Sequence, residues 1–430
     1  MKKALIICYY WPPAGGPGVQ RWLKFVSHLS SFDISPVVYV PENPNYPIVD
    51  KNLIEEIPPN ITILKQPIKE PYKLASIFSK RKVQQISSGV IATKKPSFLE
   101  KLLLYVRGNY FIPDARVGWV APSVDFLTHY LKTNDVDCII SSGPPHSLHL
   151  IGLKLHRLTN LPWIADFRDP WTTIHYHKSL QLTKASATQH KDLEALVLNT
   201  ATHVLVTSPS TKKEFSFLTK KPITVITNGF EPKQTPTVPL DTKFSIAHIG
   251  SLLSKRNPRV LWEVLSELVK EDPIFSQDLE ISLTGVVSDE VRKSIGSFGL
   301  TNHTLINSYV SHKEAVMLQH KAQILLLFEV DSVATKAIIP GKLFEYLQAR
   351  RPIIAIGPKG SDIQGIIDTT ASGIFIAPHQ KDFLKEQVLS YYSAYKKNEL
   401  YIESKNLEAF TRKALTKKLA KVIVSVTDSR

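Results

Sequence analysis

Short apolar, mostly β-branched runs alternate with amphipathic stretches along almost the whole chain, and this alternation limits the fold more than any other feature of the sequence. Residues 4–9 form an apolar run, and apolar residues from Val19 to Leu29 then recur at helical spacing. A repeated alternation of this kind predicts parallel βαβ units with helices on both faces of each sheet, so the predicted fold class is α/β. Further strands are predicted at 36–40, 138–140, 163–165, 204–206, 224–226, 244–249, 279–283, 304–306, 323–328 and 352–356.

The length of the chain and a proline-rich break divide this alternation in two. A single core rarely exceeds ~200 residues, so 430 residues indicate two domains. Residues 230–244 contain three prolines and no periodicity, as expected of a linker. We predict doubly wound, Rossmann-like parallel-sheet domains at 1–231 and 232–405 that face each other across a cleft. A C-terminal helix at 406–430 is expected to pack back toward the first domain.

Composition excludes several classes of protein. With 43% hydrophobic and 21% charged residues, the chain is neither disordered nor collagen-like. The longest apolar run, residues 4–11, is too short to span a membrane, and Pro12-Pro13 ends it before a signal-peptide cleavage pattern. Cys8 and Cys138 give neither a disulfide framework nor metal-ligand spacing. A cytoplasmic location is expected.

The chain is basic, with 53 Lys and Arg residues against 38 Asp and Glu residues, or +15. This charge predicts an anionic partner: nucleic acid, an acidic membrane surface or a phosphorylated small molecule. Residues 65–107 fit neither alternation and hold ten cations among apolar residues, against Glu70 and Glu100. They predict a basic amphipathic insertion that lies peripherally on an anionic membrane, at the inner face of the plasma membrane. A solvated insertion packed on the first domain is the alternative.

A glycine-rich loop follows the first strand and precedes the first helix. Gly15 and Gly16 could let backbone amides approach a phosphate or a sugar oxygen at the helix N-terminus. The pair Gly16-x-Gly18 begins a dinucleotide-binding pattern, but Arg21 occupies the third glycine position, which weakens that interpretation. A turn that needs glycine only for its backbone angles is the plainer alternative.

Two loops of the second half repeat this arrangement and add cations. Gly250 follows the strand at 244–249, and Lys255 and Arg256 in the same loop could pair with a diphosphate. A solvated basic loop is the alternative. Pro340-Gly341 opens a later helix, where free backbone amides and the charge of Lys342 would favour an anion.

The segment 340–347 together with 351–355 resembles the donor-binding signature of the family-4 (group 1) retaining glycosyltransferases of the GT-B fold. The resemblance implies transfer of a sugar from a nucleotide-diphosphate donor to a glycan or lipid-linked acceptor, without a metal or another cofactor, in cell-surface polysaccharide or lipopolysaccharide biosynthesis. Further segments that resemble the family, in the family's order, are 9–16, 111–116, 165–171, 226–230 and 250–256.

The resemblance also implies a donor site. Glu345 matches the second Glu of the family's Glu-x7-Glu pattern, which binds ribose hydroxyls, and Arg256 matches the lysine of the diphosphate loop. Tyr309-Val310 resembles the segment that lines the nucleobase pocket. The implied donor-binding residues are Gly15, Gly16, Gly250, Ser251, Tyr309, Val310, Pro340, Gly341, Lys342, Leu343 and Glu345.

The chain departs from the family's pattern at three positions. Ala337 stands where the first Glu of Glu-x7-Glu is expected, Ser251 replaces the usual arginine, and Asp166 replaces a histidine after the fifth strand. The catalytic candidates are Asp166, Arg168, Lys255 and Arg256. The candidates on the acceptor side are His146 and Asp169.

No metal site is predicted. Asp135-Val136-Asp137 precedes its strand, whereas a DxD metal motif follows one, and the His pairs at 146/149 and 175/177 lack further ligands at zinc spacing. A nucleic-acid-binding protein is a less favoured alternative, because no recognition motif accompanies the charge. A nucleotide-sugar epimerase or a phosphorylase on the same fold is the second alternative.

Overall fold

The computed structural model describes residues 1–70, 98–174, 177–232 and 238–428. Two compact units make up the chain: Met1–Gly229 with Arg412–Arg430, and Phe230–Thr411. None of the helices in the described ranges combines the length and the apolar character that a membrane crossing requires.

The first unit contains a parallel sheet whose middle strands are covered on both faces. In spatial order its strands are β3, β2, β1, β4, β5, β6 and β7, and every neighbouring pair is parallel. Residues 4–7 of the first strand are fully buried, because helices pack on both sides of a parallel sheet. The strands are β1 (Lys2–Ile7), β2 (Ile34–Pro41), β3 (Thr62–Gln66), β4 (Cys138–Gly143), β5 (Trp163–Phe167), β6 (His203–Val206) and β7 (Ile223–Val225).

Helices connect these strands, and the first of them shows why the sequence folds as it does. The apolar residues Val19, Trp22, Leu23 and Val26 all point into the core, and Pro17 opens the helix, where its missing N–H costs nothing. The helices are α1 (Pro17–Leu29), α2 (Phe98–Tyr110), α3 (Val120–Thr133), α4 (Ser147–Thr159), α5 (Lys184–Thr200) and α6 (Pro209–Ser216).

The second unit repeats the plan with a sheet in the order β10, β9, β8, β11, β12, β13, again parallel throughout. The strands are β8 (Phe244–Ile249), β9 (Leu279–Thr284), β10 (Thr304–Asn307), β11 (Ile324–Phe328), β12 (Ile353–Ile356) and β13 (Gly373–Ile376). The helices are α7 (Arg259–Glu271), α8 (Pro273–Asp278), α9 (Asp289–Ser297), α10 (His312–Lys321), α11 (Gly341–Ala349), α12 (Asp362–Thr370) and α13 (Lys381–Lys396).

The last helix, α14 (Arg412–Asp428), belongs to the first unit. Its residues Leu415, Leu419 and Ile423 are buried in the apolar cluster that contains Val19 and Trp22 of α1. The chain therefore leaves the first unit after Gly229 and returns to it at Arg412.

The predicted α/β class with two parallel sheets is confirmed, and two edge strands are additional. Strand β3 contains Thr62 and Lys65 and is only partly buried, so its sequence lacks the apolar run that marks an inner strand. Lys65, assigned above to the basic insertion, is part of this strand. β13 is likewise short and begins with Gly373. Residues 71–97, most of the predicted insertion, lie outside the described residues.

Candidate functional site

The loop after β8 brings a glycine, a buried histidine and a lysine together at the carboxyl edge of the second unit's sheet. Gly250 adopts φ +127°, which side chains rarely tolerate, and a Cβ added there would lie 2.5 Å from Lys342 Nζ. Lys342 Nζ is also 3.4 Å from Nε2 of His248 in β8. The glycine is therefore required by its backbone angle, and its missing side chain leaves the space that the ammonium group occupies.

Lys342 lies in the first turn of α11, and its pKa is lower than the usual value for a lysine. Burial, followed by repulsion from Arg256, lowers the pKa of Lys342 from 10.5 to about 8, although Glu329 and Glu345 oppose this shift. Burial and the adjacent Lys342 likewise lower the pKa of His248 to about 3, so this imidazole is neutral at pH 7. A half-buried ammonium beside another cation lacks sufficient counter-charge, and an anionic ligand would supply it.

The start of α11 carries three further predicted donor residues. Pro340 is the N-cap, no side chain of the described residues caps the helix, and Gly341 is its first residue. Leu343 departs from the prediction, because its side chain is fully buried in the core and its N–H donates to the Pro340 carbonyl. Neither group of Leu343 is left for a ligand, so its importance lies in packing.

Glu345 lies on the same helix, within electrostatic reach of Lys342. Its Oε2 accepts a hydrogen bond of 2.9 Å from Gln319 Nε2, which ties α11 to α10 and fixes the carboxylate. Tyr309 and Val310 immediately precede α10, and the Tyr309 side chain is 85% exposed. A flat, exposed ring at this place has the chemistry to stack on a nucleobase.

Arg256 is held by a carboxylate that the sequence analysis did not single out. Lys255 and Arg256 form the end of a 3₁₀ turn, and Arg256 Nη2 lies 3.6 Å from Oε2 of Glu329. Burial raises the pKa of Glu329, and the opposing attraction of Arg256 and Lys342 does not cancel that effect. Glu329 follows β11 directly, and a carboxylate just after a predicted buried strand is a signal that could have identified it.

A pocket of about 370 Å³ adjoins this ion pair within the second unit. It lies between the start of α7 and the carboxyl ends of β11 and β12, where Phe328 and Ile356 contribute apolar walls. Its charged lining residues include Lys255, Arg256, Arg259, Glu329, Asp331 and Lys381. The mixture of cations, carboxylates and apolar walls suits a polar ligand that carries both charge and hydroxyl groups.

In the glycine loop of the first unit, one glycine is favoured by its backbone angle and another by close packing. Gly16 is the N-cap of α1 at φ +96°, and a Cβ on Gly15 would lie 2.8 Å from Ile48 Cγ2. Gly18 leaves room for the Arg168 guanidinium, which donates to the Pro144 carbonyl and lies 5.6 Å from the Tyr10 ring centroid. The structure thus brings together two predicted elements, the glycine loop and Arg168, at the first turn of α1.

Asp166 is a buried structural residue, in contrast to the predicted catalytic role. It lies inside β5 with 0% of its surface exposed and forms an ion pair of 2.9 Å with Arg21 Nη2. Trp22 Nε1 and Ser142 Oγ also donate to it. Burial alone would raise the pKa of Asp166, but Arg21 and the hydrogen bond from Ser142 lower it below the usual value. A carboxylate so enclosed cannot reach a substrate.

The same ion pair explains Arg21, the residue that interrupts the dinucleotide pattern. Its Nη1 donates to the carbonyls of Ile226 at 2.8 Å and Thr227 at 3.0 Å, in the segment that ends the first unit. Arg21 therefore ties α1, β5 and the segment after β7 together.

His146 is buried, 6% exposed, and stacks on Trp171 with ring centroids 4.8 Å apart. Neither of its ring nitrogens has a hydrogen-bond partner among the described residues, and burial holds its pKa well below the usual value. The predicted acceptor contact would require this ring to become accessible. Asp169 lies in the loop after β5, next to Arg168, and is half-buried.

One motif considered for a metal, Asp135-Val136-Asp137, makes a structural contact between strands. Asp137 accepts a hydrogen bond of 2.6 Å from the Lys3 amide and so links the beginning of β4 to β1. Within residues 1–70, 98–174, 177–232 and 238–428, no three His, Cys, Asp or Glu side chains cluster as metal ligands would. His175 lies outside the described residues.

Neither a family model nor a curated protein matches the sequence. Solved structures do match over essentially the whole chain. A glycosyltransferase from Rickettsia africae ESF-5 has 12% identity and a TM-score of 0.60, covering 100% of this chain and 99% of its own. The lipopolysaccharide outer core galactosyltransferase WaaB in its apo form has 15% identity and a TM-score of 0.58, covering 99% of both chains.

A third similar structure contains ligands. A mutant of TarM from S. aureus, in complex with fondaparinux, alpha-GlcNAc-glycerol and UDP, has 12% identity and a TM-score of 0.55, covering 98% of this chain and 100% of its own. At such low identity these matches bear on the fold. Together with the two parallel, doubly wound sheets, they show that the chain has the GT-B fold of two Rossmann-like domains.

Proposed function

We propose that this protein is a glycosyltransferase that transfers a sugar from a nucleotide-diphosphate donor to a hydroxyl of a glycan or lipid-linked acceptor. The observation that carries the proposal is the meeting of Gly250, Arg256 and Lys342 at one edge of the second unit's sheet, with Glu345 on the same helix as Lys342. The two cationic groups and the glycine suit a diphosphate, and the carboxylate suits the vicinal hydroxyls of a ribose.

The chemical difficulty in such a transfer is the negative charge that accumulates on the departing diphosphate. Arg256 and Lys342 can neutralise that charge, and the uncapped start of α11 adds the positive end of a helix dipole. Lys255 lies beside Arg256 and would strengthen the field. These groups would provide the stabilisation that a metal ion supplies elsewhere, and we therefore propose a metal-independent reaction. Retention of configuration is proposed from the resemblance to the retaining family-4 glycosyltransferases.

The glycine loop of the first unit and Arg168 form a second place suited to the donor. The amides at the start of α1 are positive through the helix dipole, and Arg168 adds a full positive charge against the same turn. Two positive groups so placed repel each other unless an anion lies between them. Gly15 and Gly16 therefore remain donor-binding residues in the proposal.

The similar structures support a setting at the bacterial cell surface. WaaB is described as a lipopolysaccharide outer core galactosyltransferase, and the TarM complex contains UDP and alpha-GlcNAc-glycerol. We propose a comparable role for this protein, in polysaccharide or lipopolysaccharide assembly.

Thermal-shift screening with UDP, GDP and ADP and their sugars, followed by turnover assays, tests the proposal. Arg256→Ala and Glu345→Ala should each lower donor turnover by about tenfold or more, since each removes a charge-assisted contact. Arg157→Ala and Glu290→Ala, which change exposed helix residues, serve as matched controls. Undiminished activity in both test variants would refute the site. Interconversion of the donor sugar without release of a nucleoside diphosphate would instead indicate an epimerase.

The basic segment 65–107 carries a separate proposal, peripheral attachment to an anionic membrane. In the described part of this segment, Leu102 and Tyr105 of α2 are exposed beside Lys101, whereas Leu104 is buried. Such a face could insert between lipid headgroups. In a flotation assay, the protein should float with anionic vesicles and should not float with neutral vesicles. Equal, negligible binding to both kinds of vesicle would refute the attachment.

A further inference from the structure

Glu329 begins the loop after β11, beside the residues to which we assign the donor diphosphate. Its side chain is 2% exposed, and Oε2 lies 3.6 Å from Arg256 Nη2, beyond the length of a normal hydrogen bond. Among the described residues no group donates a hydrogen bond to that Oε2 atom. A buried carboxylate oxygen held only by this long ion pair is incompletely satisfied, so a ligand hydroxyl that donates to it would be bound favourably.

Glu329 packs closely against the residue that follows β12. A Cβ placed on Gly357 would lie 3.2 Å from Glu329 Cβ, which shows how closely the end of β12 packs against this side chain. The Glu329 N–H also donates to the Ile356 carbonyl at 2.9 Å, so the backbone that carries this side chain is anchored to the end of β12. Buried attachment of this kind is typical of a residue that selects a ligand by geometry.

The surroundings of Glu329 indicate which chemical group it would accept. It lines the pocket of about 370 Å³ together with Arg256 and Arg259, and Lys342 lies close enough to affect its charge. A phosphate would be attracted by the cations but repelled by the carboxylate. A neutral polyol attached to a phosphate satisfies both, since the phosphate faces the cations and a hydroxyl donates to the carboxylate.

We infer that Glu329 is a specificity-determining residue that accepts hydrogen bonds from the hydroxyls of the transferred sugar. This inference rests on the proposed function, because it places the sugar next to a diphosphate bound at Arg256. It has a second consequence: Glu329 also competes with that diphosphate for the Arg256 guanidinium. Removing its charge should therefore weaken binding of the sugar conjugate without weakening binding of the nucleoside diphosphate alone.

Calorimetric titration of Glu329→Gln tests this inference. The ligands are one nucleoside diphosphate and its sugar conjugate, and the diphosphate is whichever of UDP, GDP and ADP most stabilises the wild type. The affinity for the sugar conjugate should fall by about tenfold or more, as expected for loss of a hydrogen bond to a charged group. The affinity for the diphosphate alone should stay the same or rise. Glu290→Gln makes the same chemical change on an exposed helix residue and should alter neither affinity.

Glu329→Asp provides a second measurement should the Gln variant fold poorly. It keeps the charge but withdraws it by one methylene, so it should weaken the sugar conjugate and leave the diphosphate unaffected. A residue that merely stabilises the fold would change both affinities by the same factor. Either that result or no change in either affinity would overturn the inference and leave the proposed function intact. Failure of the wild type to bind any diphosphate overturns both.

Discussion

Replacing Lys342 by methionine should make the protein more stable at neutral pH while lowering its affinity for a nucleoside diphosphate by about tenfold. Lys342 holds a charge in a place that disfavours it, because burial and the neighbouring Arg256 lower its pKa to about 8. Methionine has a similar length and apolar stem but no charge. The variant therefore removes the cost of the buried ammonium and retains most of its packing.

The size of the effect follows from the pKa difference between the folded and unfolded states. The unfolded value is 10.5, and the folded value of about 8 lies below it. Below pH 8 both states carry the proton and the folded state bears the whole penalty, about 3 kcal/mol at pH 7. As the pH rises above 8, the folded state loses its proton first, the unfolded state then binds more protons, and the wild type gains stability. At pH 9.5 the remaining penalty is about 1.4 kcal/mol.

Urea denaturation of the wild type and Lys342→Met at pH 7 and pH 9.5, followed by circular dichroism, measures both quantities. We expect the variant to be more stable by up to about 3 kcal/mol at pH 7, and the difference to fall by roughly half at pH 9.5. Lys313→Met, at an exposed position of α10, controls for loss of a positive charge and should change little. A variant less stable than the wild type at pH 7, or a difference that does not depend on pH, would refute the assigned burial cost.

Two further predictions concern the first unit. Asp166→Ala should lower the free energy of unfolding by about 3–5 kcal/mol, because it leaves the buried charge of Arg21 without its carboxylate. Asp125→Ala, at an exposed site on α3, is the control. Loss of turnover with unchanged stability in Asp166→Ala would restore the catalytic interpretation. His149 is neutral when folded, since burial lowers its pKa to about 3, so unfolding takes up a proton below pH 6.5. His149→Gln should therefore reduce the loss of stability between pH 6.5 and pH 5 by about 1 kcal/mol per pH unit, measured by thermal denaturation; an unchanged slope would contradict it.

Much of the fold could be predicted because parallel sheets covered on both faces need apolar runs. The inner strands β1, β4, β8 and β11 are rich in buried apolar residues, so they could be predicted from the sequence. The edge strands β3 and β13 are only partly buried, so they do not need a continuous apolar run. Without such a run, a strand is not predicted from the sequence.

The sequence by itself determined where glycines and cations follow strands, because turns and helix starts restrict residue type locally. This is why Gly16, Gly250 and Lys342 could be assigned to loops suited to a phosphate. Such local rules do not report which side chains face each other across a sheet.

Only the tertiary structure decided what those neighbours are. It placed Asp166 against Arg21 inside the core, buried Leu343, and set Glu329 beside Arg256, a residue 73 positions earlier in the chain (329 − 256). Each outcome depends on contacts between distant segments, whose energies come from burial and charge pairing after the sheet has formed. The residue types in a loop can therefore be predicted from the sequence, whereas the charge state and the accessibility of each side chain follow from packing.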